Sequence, residues 1–118
     1  MKPGERSAKG LGRAGEDAAT EFLRSHGYKI LQRNFRGPGG EIDIVASDGG
    51  VIVFVEVKAR RSHAYGSALA AVDARKRRRL RAVAEDYLQF FAPAAKARFD
   101  VLAIDGNAIR LYRGAFWA

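Results

Sequence analysis

The sequence predicts an α/β sandwich in which a mixed sheet is covered by helices on both faces. Two stretches with apolar residues at helical spacing, one from about Leu11 and one from about Asp73, flank a group of strand-like runs. The run Val51–Val57 is apolar on both of its faces except at Glu56, which is typical of a central strand that is buried on both sides. The predicted order of elements is α-β-β-β-α-β-β.

Local breaker signals set the predicted boundaries of these elements. Gly27 suits the position after the last turn of the first helix, and Pro93 follows the end of the second helix near Phe91. Turns are indicated by Gly37-Pro38-Gly39-Gly40, Asp48-Gly49-Gly50 and Asp105-Gly106-Asn107. The predicted strands cover residues 28–34, 40–46, 51–58, 99–104 and 109–112. Residues 61–71 are predicted to form a loop.

Length and composition predict one domain. The chain has 118 residues, of which 47% are hydrophobic, so it can bury a core. We predict a flexible basic tail over residues 1–10 and a single folded domain over residues 11–118. The absence of cysteine excludes disulfides and thiolate metal sites.

The net charge of +8 predicts a polyanionic partner, with nucleic acid first and an anionic membrane surface second. No apolar run approaches the roughly 20 residues that a membrane-spanning helix needs. The polar N-terminal residues lack the apolar core of a signal peptide. We therefore expect a cytoplasmic protein that does not act in a membrane.

Two neighbouring strands carry charge where burial is expensive. An unpaired buried carboxylate costs several kcal/mol or takes up a proton, so Asp43 and Glu56 need a balancing charge. Strand alternation places Glu41, Asp43 and Val45 on one face of the first strand. On the next strand it places Ile52, Phe54, Glu56 and Lys58 on one face. Asp43 and Glu56 can then converge on one cation, with the backbone carbonyl of Val57 as a third oxygen.

Hard oxygen ligands of this kind suit Mg²⁺ or Mn²⁺. Lys58 would project beside the cation, where it could orient or deprotonate an attacking water or neutralise charge on a phosphate.

An acid on one strand followed by Glu-x-Lys on the next resembles the PD-(D/E)xK nuclease superfamily. The wording Gly-Glu-Ile-Asp-Ile-Val-Ala, then Val-Phe-Val-Glu-Val-Lys, is similar to its Holliday-junction-resolvase branch, and more closely to the YraN-type family of small bacterial proteins, UPF0102. The resemblance runs from Gly12-Arg13-Ala14-Gly15-Glu16 to Arg98-Phe99-Asp100-Val101. It implies a restriction-endonuclease-like three-layer sandwich.

The resemblance also implies roles for single residues. Asp43 and Glu56 match the metal ligands, Lys58 matches the catalytic lysine, and Glu16 matches an acid that similar nucleases bring to the site from a helix. The proline that gives the superfamily its name is absent, and Ile42 stands in its place, as is common among resolvase relatives.

Each of these residues could instead have a structural role. Asp43 could cap a turn, and Glu56 with Lys58 could form a surface ion pair. Glu41 could pair with Arg36 or belong to the site, and Glu16 could form a salt bridge instead of reaching it.

One further acid and two histidines are not predicted to belong to the site. For Asp100 we predict pairing with a basic side chain rather than catalysis. His26 and His63 lack the spacing of zinc ligands.

The start of the second helix is strongly basic. Like charges there repel one another and lie beside the positive end of the helix dipole, which indicates an anionic ligand rather than a solvated face alone. Lys76 is predicted to reach the active site, while the outward arginines contact phosphates. The residues predicted to contact nucleic acid are Arg60, Arg61, Arg75, Lys76, Arg77, Arg78 and Arg79.

Together these features favour a metal-dependent endonuclease that acts on branched or flap DNA rather than RNA. The resemblance implies products with a 5′-phosphate and a 3′-hydroxyl. It also implies a homodimer, although no dimer signature is visible in the sequence. The alternative is a non-catalytic nucleic-acid-binding module that keeps the nuclease fold. Docking on anionic lipid ranks last, because no helix shows a large exposed apolar face.

Overall fold

A five-stranded sheet with one helix on each face forms the part of the chain that the structure describes. The structure is a computed structural model that describes the backbone of residues 3–60 and 72–116, and the side chains of residues 13–59 and 72–116. The elements are α1 (Pro3–Ser25), β1 (Lys29–Gly37), β2 (Gly40–Asp48), β3 (Val51–Arg60), α2 (Ala74–Phe91), β4 (Ala97–Asp105) and β5 (Ala108–Phe116).

The strands lie in chain order, β1-β2-β3-β4-β5, with β3 in the centre. Neighbouring strands are antiparallel except for β3 and β4, which are parallel. Parallel neighbours need a crossover connection, and α2 lies within the segment that joins these two strands. The predicted order of elements, the mixed sheet and the central position of β3 are confirmed. This architecture is compatible with a restriction-endonuclease-like three-layer sandwich.

Alternation along β3 divides the core between the two faces of the sheet. Ile52 and Phe54 pack on the α2 side, with Leu80 and Val83 of that helix among their neighbours. The intervening Val53 and Val55 pack on the α1 side, in the same cluster as Ala19 and Leu23. Because both faces are covered by apolar side chains, any charged group near the middle of this strand must be balanced within the protein.

Several elements are longer than the sequence indicates. Helix α1 begins at Pro3 rather than Leu11, so the backbone of residues 3–10, assigned above to a tail, is helical. Proline is favoured in the first turn of a helix, whereas Gly4 and Gly10 argued against a helix there. The predicted loop over residues 61–71, with His63, lies outside the described residues.

Gly15 allows α1 to approach the sheet closely. A Cβ atom at this position would lie 3.3 Å from the Cβ of Ala59 and 3.6 Å from Cδ1 of Ile104. The close contact between α1 and the sheet therefore depends on the absence of a side chain at Gly15. It fixes the depth of the next residue, Glu16, relative to the end of the sheet.

Asp100 lies at the centre of a buried polar network that joins Tyr28, just before β1, to the strands β2, β4 and β5. Its carboxylate accepts hydrogen bonds from the hydroxyl of Tyr28 at 2.8 Å, from Nε of Arg98 at 3.0 Å and from the amide of Gly114 at 2.9 Å. Arg98 also donates to Asp48 at 2.8 Å. The predicted structural pairing of Asp100 with a basic side chain is confirmed.

We expect Asp100→Ala to lower the free energy of unfolding by about 3–5 kcal/mol, because the change leaves the buried hydroxyl of Tyr28 and the amide of Gly114 without their acceptor, and leaves Arg98 paired with Asp48 alone. Urea unfolding of wild type and variant measures the difference. Glu85→Ala, at an exposed position of α2, should change stability by less than about 0.5 kcal/mol. A loss no larger than that of this control would mean that the network contributes little.

Candidate functional site

Asp43 takes over the pairing between β2 and β3 at the point where the two backbones part. The regular ladder runs from Asp48–Val51 to Ile44–Val55 and stops there. One residue further along β2, the carboxylate oxygen Oδ2 of Asp43 accepts the backbone N–H of Val57 at 2.8 Å. The side chain thus replaces a backbone carbonyl as acceptor, and it lies between the two strands rather than on one face.

Strict alternation along β2 breaks at the same place. Ile42 packs in the core on the α2 side, whereas Ile44 packs on the α1 side. On the partner strand, Asn34 has a positive φ of 56° and separates Arg33, paired with Ile44, from Phe35, paired with Ile42. The prediction that Glu41, Asp43 and Val45 share one face is wrong for this reason.

Four carboxylates from three elements lie around this break, and we call them the carboxylate cluster: Glu16, Glu41, Asp43 and Glu56. Carboxylate oxygens of the first three lie within 4.8 Å of one another. Glu56 lies within hydrogen-bonding reach of Asp43. The predicted pair of Asp43 and Glu56 is therefore brought together, and Glu16 reaches the sheet from α1. The structure adds Glu41, which the sequence left open between the site and a pairing with Arg36.

The cluster makes the charged form of Asp43 unfavourable. Burial, followed by the charge of Glu56, raises the pKa of Asp43 to about 8, although the hydrogen bond from the Val57 amide acts in the opposite direction. A group of oxygen donors with this much mutual repulsion requires protons or cations. Its donor chemistry fits a hard divalent cation such as Mg²⁺ or Mn²⁺.

Two lysines lie against the cluster and differ in their electrostatic state. Nζ of Lys76, on α2, forms an ion pair with Glu56, and Nζ of Lys58 lies 3.9 Å from the same carboxylate. Burial lowers the pKa of Lys58, and the neighbouring Lys76 lowers it further. Burial also acts to lower the pKa of Lys76, but the contact with Glu56 more than offsets it and the pKa is raised. Lys76 is thus the charged partner, and Lys58 is the lysine that loses its proton more easily.

Glu16 lies in the cluster and also forms a salt bridge, the two alternatives that the sequence left open. Its side chain is only 15% exposed and belongs to the cluster, and one of its oxygens lies 3.6 Å from the guanidinium of Arg33. Arg33 also pairs with Asp17 at 2.8 Å. Arg36 forms a similar pair with Glu41 at 3.1 Å. No pattern in the sequence pointed to Arg33 as a neighbour of the site, because its pairing depends on how α1 packs against β1.

The basic residues of α2 that were predicted to contact nucleic acid divide into three groups. Arg75, Arg78 and Arg79 are exposed, whereas Lys76 points toward the carboxylate cluster. Arg77 donates to the carbonyl of Val72 at 2.9 Å and lies 5.3 Å from the ring centre of Phe116. The first turn is capped by Asp73, whose side chain accepts the amide of Lys76.

Of the other residues predicted to contact nucleic acid, Arg61 lies outside the described residues. Arg60 ends β3, but its side chain also lies outside the described part. Among the helices in the described ranges, none has the length and apolar character needed to cross a membrane.

The chain matches a known family over most of its length. The sequence pattern of Uncharacterised protein family UPF0102 matches residues 15–104. A UPF0102 protein of Symbiobacterium thermophilum is 48% identical over 114 residues, which cover 92% of this chain and 97% of the relative. One from Desulfosudis oleivorans is 47% identical over 108 residues, covering 89% of this chain and 88% of the relative. One from Ralstonia pickettii is 47% identical over 110 residues, with the same coverages of 89% and 88%.

The raised pKa of Asp43 predicts a specific dependence of stability on pH in EDTA. The folded protein holds this proton up to about pH 8, whereas the unfolded chain releases it near the ordinary value of 3.8. Stability should therefore be highest below about pH 4 as far as this group is concerned, and should fall as the pH rises toward 8. Asp43→Asn removes the titration and keeps an acceptor for Val57, so it should flatten the profile.

Thermal melts from pH 5 to 9 measure this effect. At pH 8 in EDTA we expect Asp43→Asn to melt at least about 4 °C above wild type. Glu85→Gln, on the exposed face of α2, should keep the wild-type profile. A melting temperature of Asp43→Asn well below that of wild type would instead show that the charged carboxylate is a structural requirement.

Proposed function

We propose that this chain, which belongs to Uncharacterised protein family UPF0102, is a metal-dependent endonuclease that hydrolyses phosphodiester bonds in nucleic acid. The observation that carries the proposal is the convergence of four carboxylates and two lysines at the place where β2 and β3 part. Such a group is costly to bury and makes no contribution to the apolar core. Its cost is reasonable if the carboxylates bind a cation that serves a reaction.

Glu16, Glu41, Asp43 and Glu56 are the residues that would hold the cation. All of their donors are carboxylate oxygens, as Mg²⁺ and Mn²⁺ prefer. A bound divalent cation would supply a Lewis acid for a phosphoryl oxygen and would lower the pKa of a bound water. The carbonyl of Val57, predicted as a third ligand, remains a proposal; the amide of the same residue is already bonded to Asp43.

The two lysines are suited to different roles in the reaction. Lys58 has a lowered pKa and lies at the edge of the cluster, so it is suited to take a proton from an attacking water. Lys76 keeps its charge through its contact with Glu56, so it is suited to offset negative charge that gathers on the phosphate. Glu16 helps to fix the cluster from α1 and would shape the position of the water.

Nucleic acid is the polyanion that this site would act on. The net charge is +8, and Arg75, Arg78 and Arg79 are exposed on the first turns of the helix that brings Lys76 to the cluster. We propose DNA as the substrate and, following the resemblance to junction resolvases, branched or flap DNA over linear DNA. We propose a cytoplasmic location together with this role. A homodimer stays a prediction.

Cleavage assays test the enzymatic proposal. With Mg²⁺ or Mn²⁺, wild type should cut labelled flap or four-way-junction DNA, and Asp43→Asn should not. Lys58→Met keeps the aliphatic stem but loses the amine, so it should bind DNA within several-fold of wild type and cleave about 10²-fold more slowly or worse. Lys29→Met, an exposed lysine on β1, is the matched control and should cleave at the wild-type rate. Equal rates for the two lysine variants would contradict the role of Lys58.

A non-catalytic nucleic-acid-binding module is the second candidate. It is favoured by the fact that positive side chains already balance the cluster: Lys76 pairs with Glu56, Arg33 with Glu16 and Arg36 with Glu41. A module of this kind would bind branched DNA yet leave every substrate intact with either cation. That result would replace the nuclease proposal.

The basic start of α2 predicts a change in the salt dependence of DNA binding. On duplex DNA, each lost phosphate contact lowers the slope of log affinity against log salt by about 0.9. Changing Arg75, Arg78 and Arg79 together to Gln should weaken binding and flatten this slope. The fold should survive, because the three side chains are exposed.

A charge-matched control separates contact from net charge. The triple variant of Arg24, Lys29 and Arg110 to Gln removes three exposed cations elsewhere on the surface. Its slope should stay close to that of wild type in fluorescence anisotropy titrations. If the two triple variants behave alike, the arginines of α2 form only a solvated face.

A further inference from the structure

We infer that a cleft on the α1 side of the carboxylate cluster binds a backbone phosphate of one nucleic-acid strand, and that it does so when a divalent cation weakens the hold of Glu16 and Glu41 on its arginines and releases Arg36. We call it the arginine cleft; Arg13, Glu16, Asp17, Arg33, Arg36 and Glu41 line it, and its volume is about 630 Å³. A space of this size holds a ligand of nucleotide dimensions. The inference rests on the proposed cation site and nucleic-acid substrate.

The cleft shares two residues with the carboxylate cluster. Glu16 and Glu41 line its wall, and both have oxygens within 4.8 Å of a carboxylate oxygen of Asp43. A strand whose reacting phosphate lies at the cluster therefore has the cleft beside it. None of the residues lining the cleft is aromatic or aliphatic, so base stacking and apolar contact have little part there. Charge and hydrogen bonding to the backbone are the recognition that this lining supports.

In the structure as it stands, the charges of the cleft balance. Three arginines face three carboxylates, Glu16, Asp17 and Glu41. The nitrogen Nε of Arg36 lies 3.1 Å from Glu41, and Arg33 lies 3.6 Å from Glu16. A cleft with no net charge attracts a phosphate weakly. Arg36, and in part Arg33, is thus engaged by the same carboxylates that a cation would bind.

Binding of a cation changes this balance. Glu16 and Glu41 would share their charge with the cation, and their attraction for the arginines would weaken. Arg36 can leave easily, because its side chain is 82% exposed and a pair at such a position is worth little. Its planar guanidinium then suits a phosphate in a bidentate contact.

The present contacts of Arg33 and Arg13 fit such an exchange. The Nε of Arg33 is buried and has no hydrogen-bond partner in the described part of the chain, so the pairs with Glu16 and Asp17 leave one donor unused. Arg13 is exposed on α1 and makes no ion pair with the residues whose side chains are described. Arg33, held at 2.8 Å by Asp17, would stay in place, while Arg13 and Arg36 contact the strand.

The experiment compares oligonucleotide binding with and without a cation, and its result does not depend on cleavage. Fluorescence anisotropy measures the affinity of a labelled single-stranded oligonucleotide for Asp43→Asn protein, chosen so that the strand stays intact, in Mn²⁺ and in EDTA. Glu16, Glu41 and Glu56 remain to bind Mn²⁺. We then add the double substitution Arg13→Gln and Arg36→Gln to this background. In Mn²⁺ we expect this double variant to bind the oligonucleotide about tenfold more weakly and to show a salt slope reduced by about 0.7 per lost contact. In EDTA the loss should be less than about twofold.

Arg24→Gln in the same background is the matched control. Arg24 is an exposed arginine of α1 that pairs with Glu21 at 3.1 Å, the same distance as in the Arg36 pair, but it does not line the cleft. The affinity of the Arg24→Gln variant for the oligonucleotide should match that of the Asp43→Asn protein both in Mn²⁺ and in EDTA. Titration calorimetry should show that Arg36→Gln binds Mn²⁺ at least as tightly as its parent, since a competing cation has been removed.

Each outcome bears on the inference separately from the proposed function. Equal affinities of the double variant and its parent in Mn²⁺ would overturn it, and so would a loss of the same size in EDTA. Weaker Mn²⁺ binding by Arg36→Gln would also overturn the exchange. A protein that never cleaves DNA but shows the cation-dependent loss would refute the nuclease and leave the arginine cleft standing.

Discussion

The hydrogen bond from the Val57 amide to the Asp43 carboxylate is the contact on which the candidate site depends. It lets β2 leave β3 without an unsatisfied amide at the centre of the sheet. Once the strands part, side chains from α1 and α2 can meet at the same point from opposite faces. A carboxylate in this position is both a structural acceptor and a charged group in a place with little water, and the raised pKa of Asp43 is the electrostatic result of that double role.

Positive side chains from three elements balance the charge of the carboxylate cluster. Lys76 comes from α2, Lys58 from β3, and Arg33 and Arg36 from β1. A cluster balanced in this way is preformed, so a cation need not organise the strands when it binds. The same pairs set a limit on cation affinity, because each ligand that a cation gains must leave, or share, a positive neighbour. If a cation binds, we therefore expect weak binding in the absence of substrate, since a phosphate that entered beside the cation would give the released Arg36 a new partner.

Much of the fold was predictable because its signals are local. The uninterrupted apolar run of β3 indicated a central strand, and the breakers at Gly27 and Pro93 indicated where the helices end. Glu56, Lys58 and Lys76 were predicted to lie near Asp43 because strand and helix periodicity decide their directions, although the alternation assumed for Asp43 itself is wrong. The pairings of Arg33 and Arg36 were harder to foresee. Arg33 faces α1 because it pairs with Ile44, which packs on that side of the sheet, and tertiary packing rather than a local pattern decides this register.

The position of Glu41 explains how one cluster can serve two basic surfaces. Glu41 lines the arginine cleft on the α1 side, and it also lines a smaller cleft of about 170 Å³ with Lys76 and Arg79 of α2. Elsewhere in the described part of the chain the sheet separates these surfaces, since its interior strands are covered by apolar side chains on both faces. At the start of β2, where the strands part, positive charge from both faces of the sheet can act on the same anion. A backbone phosphate at the cluster would therefore lie between the two surfaces, with the strand leaving along one and approaching along the other.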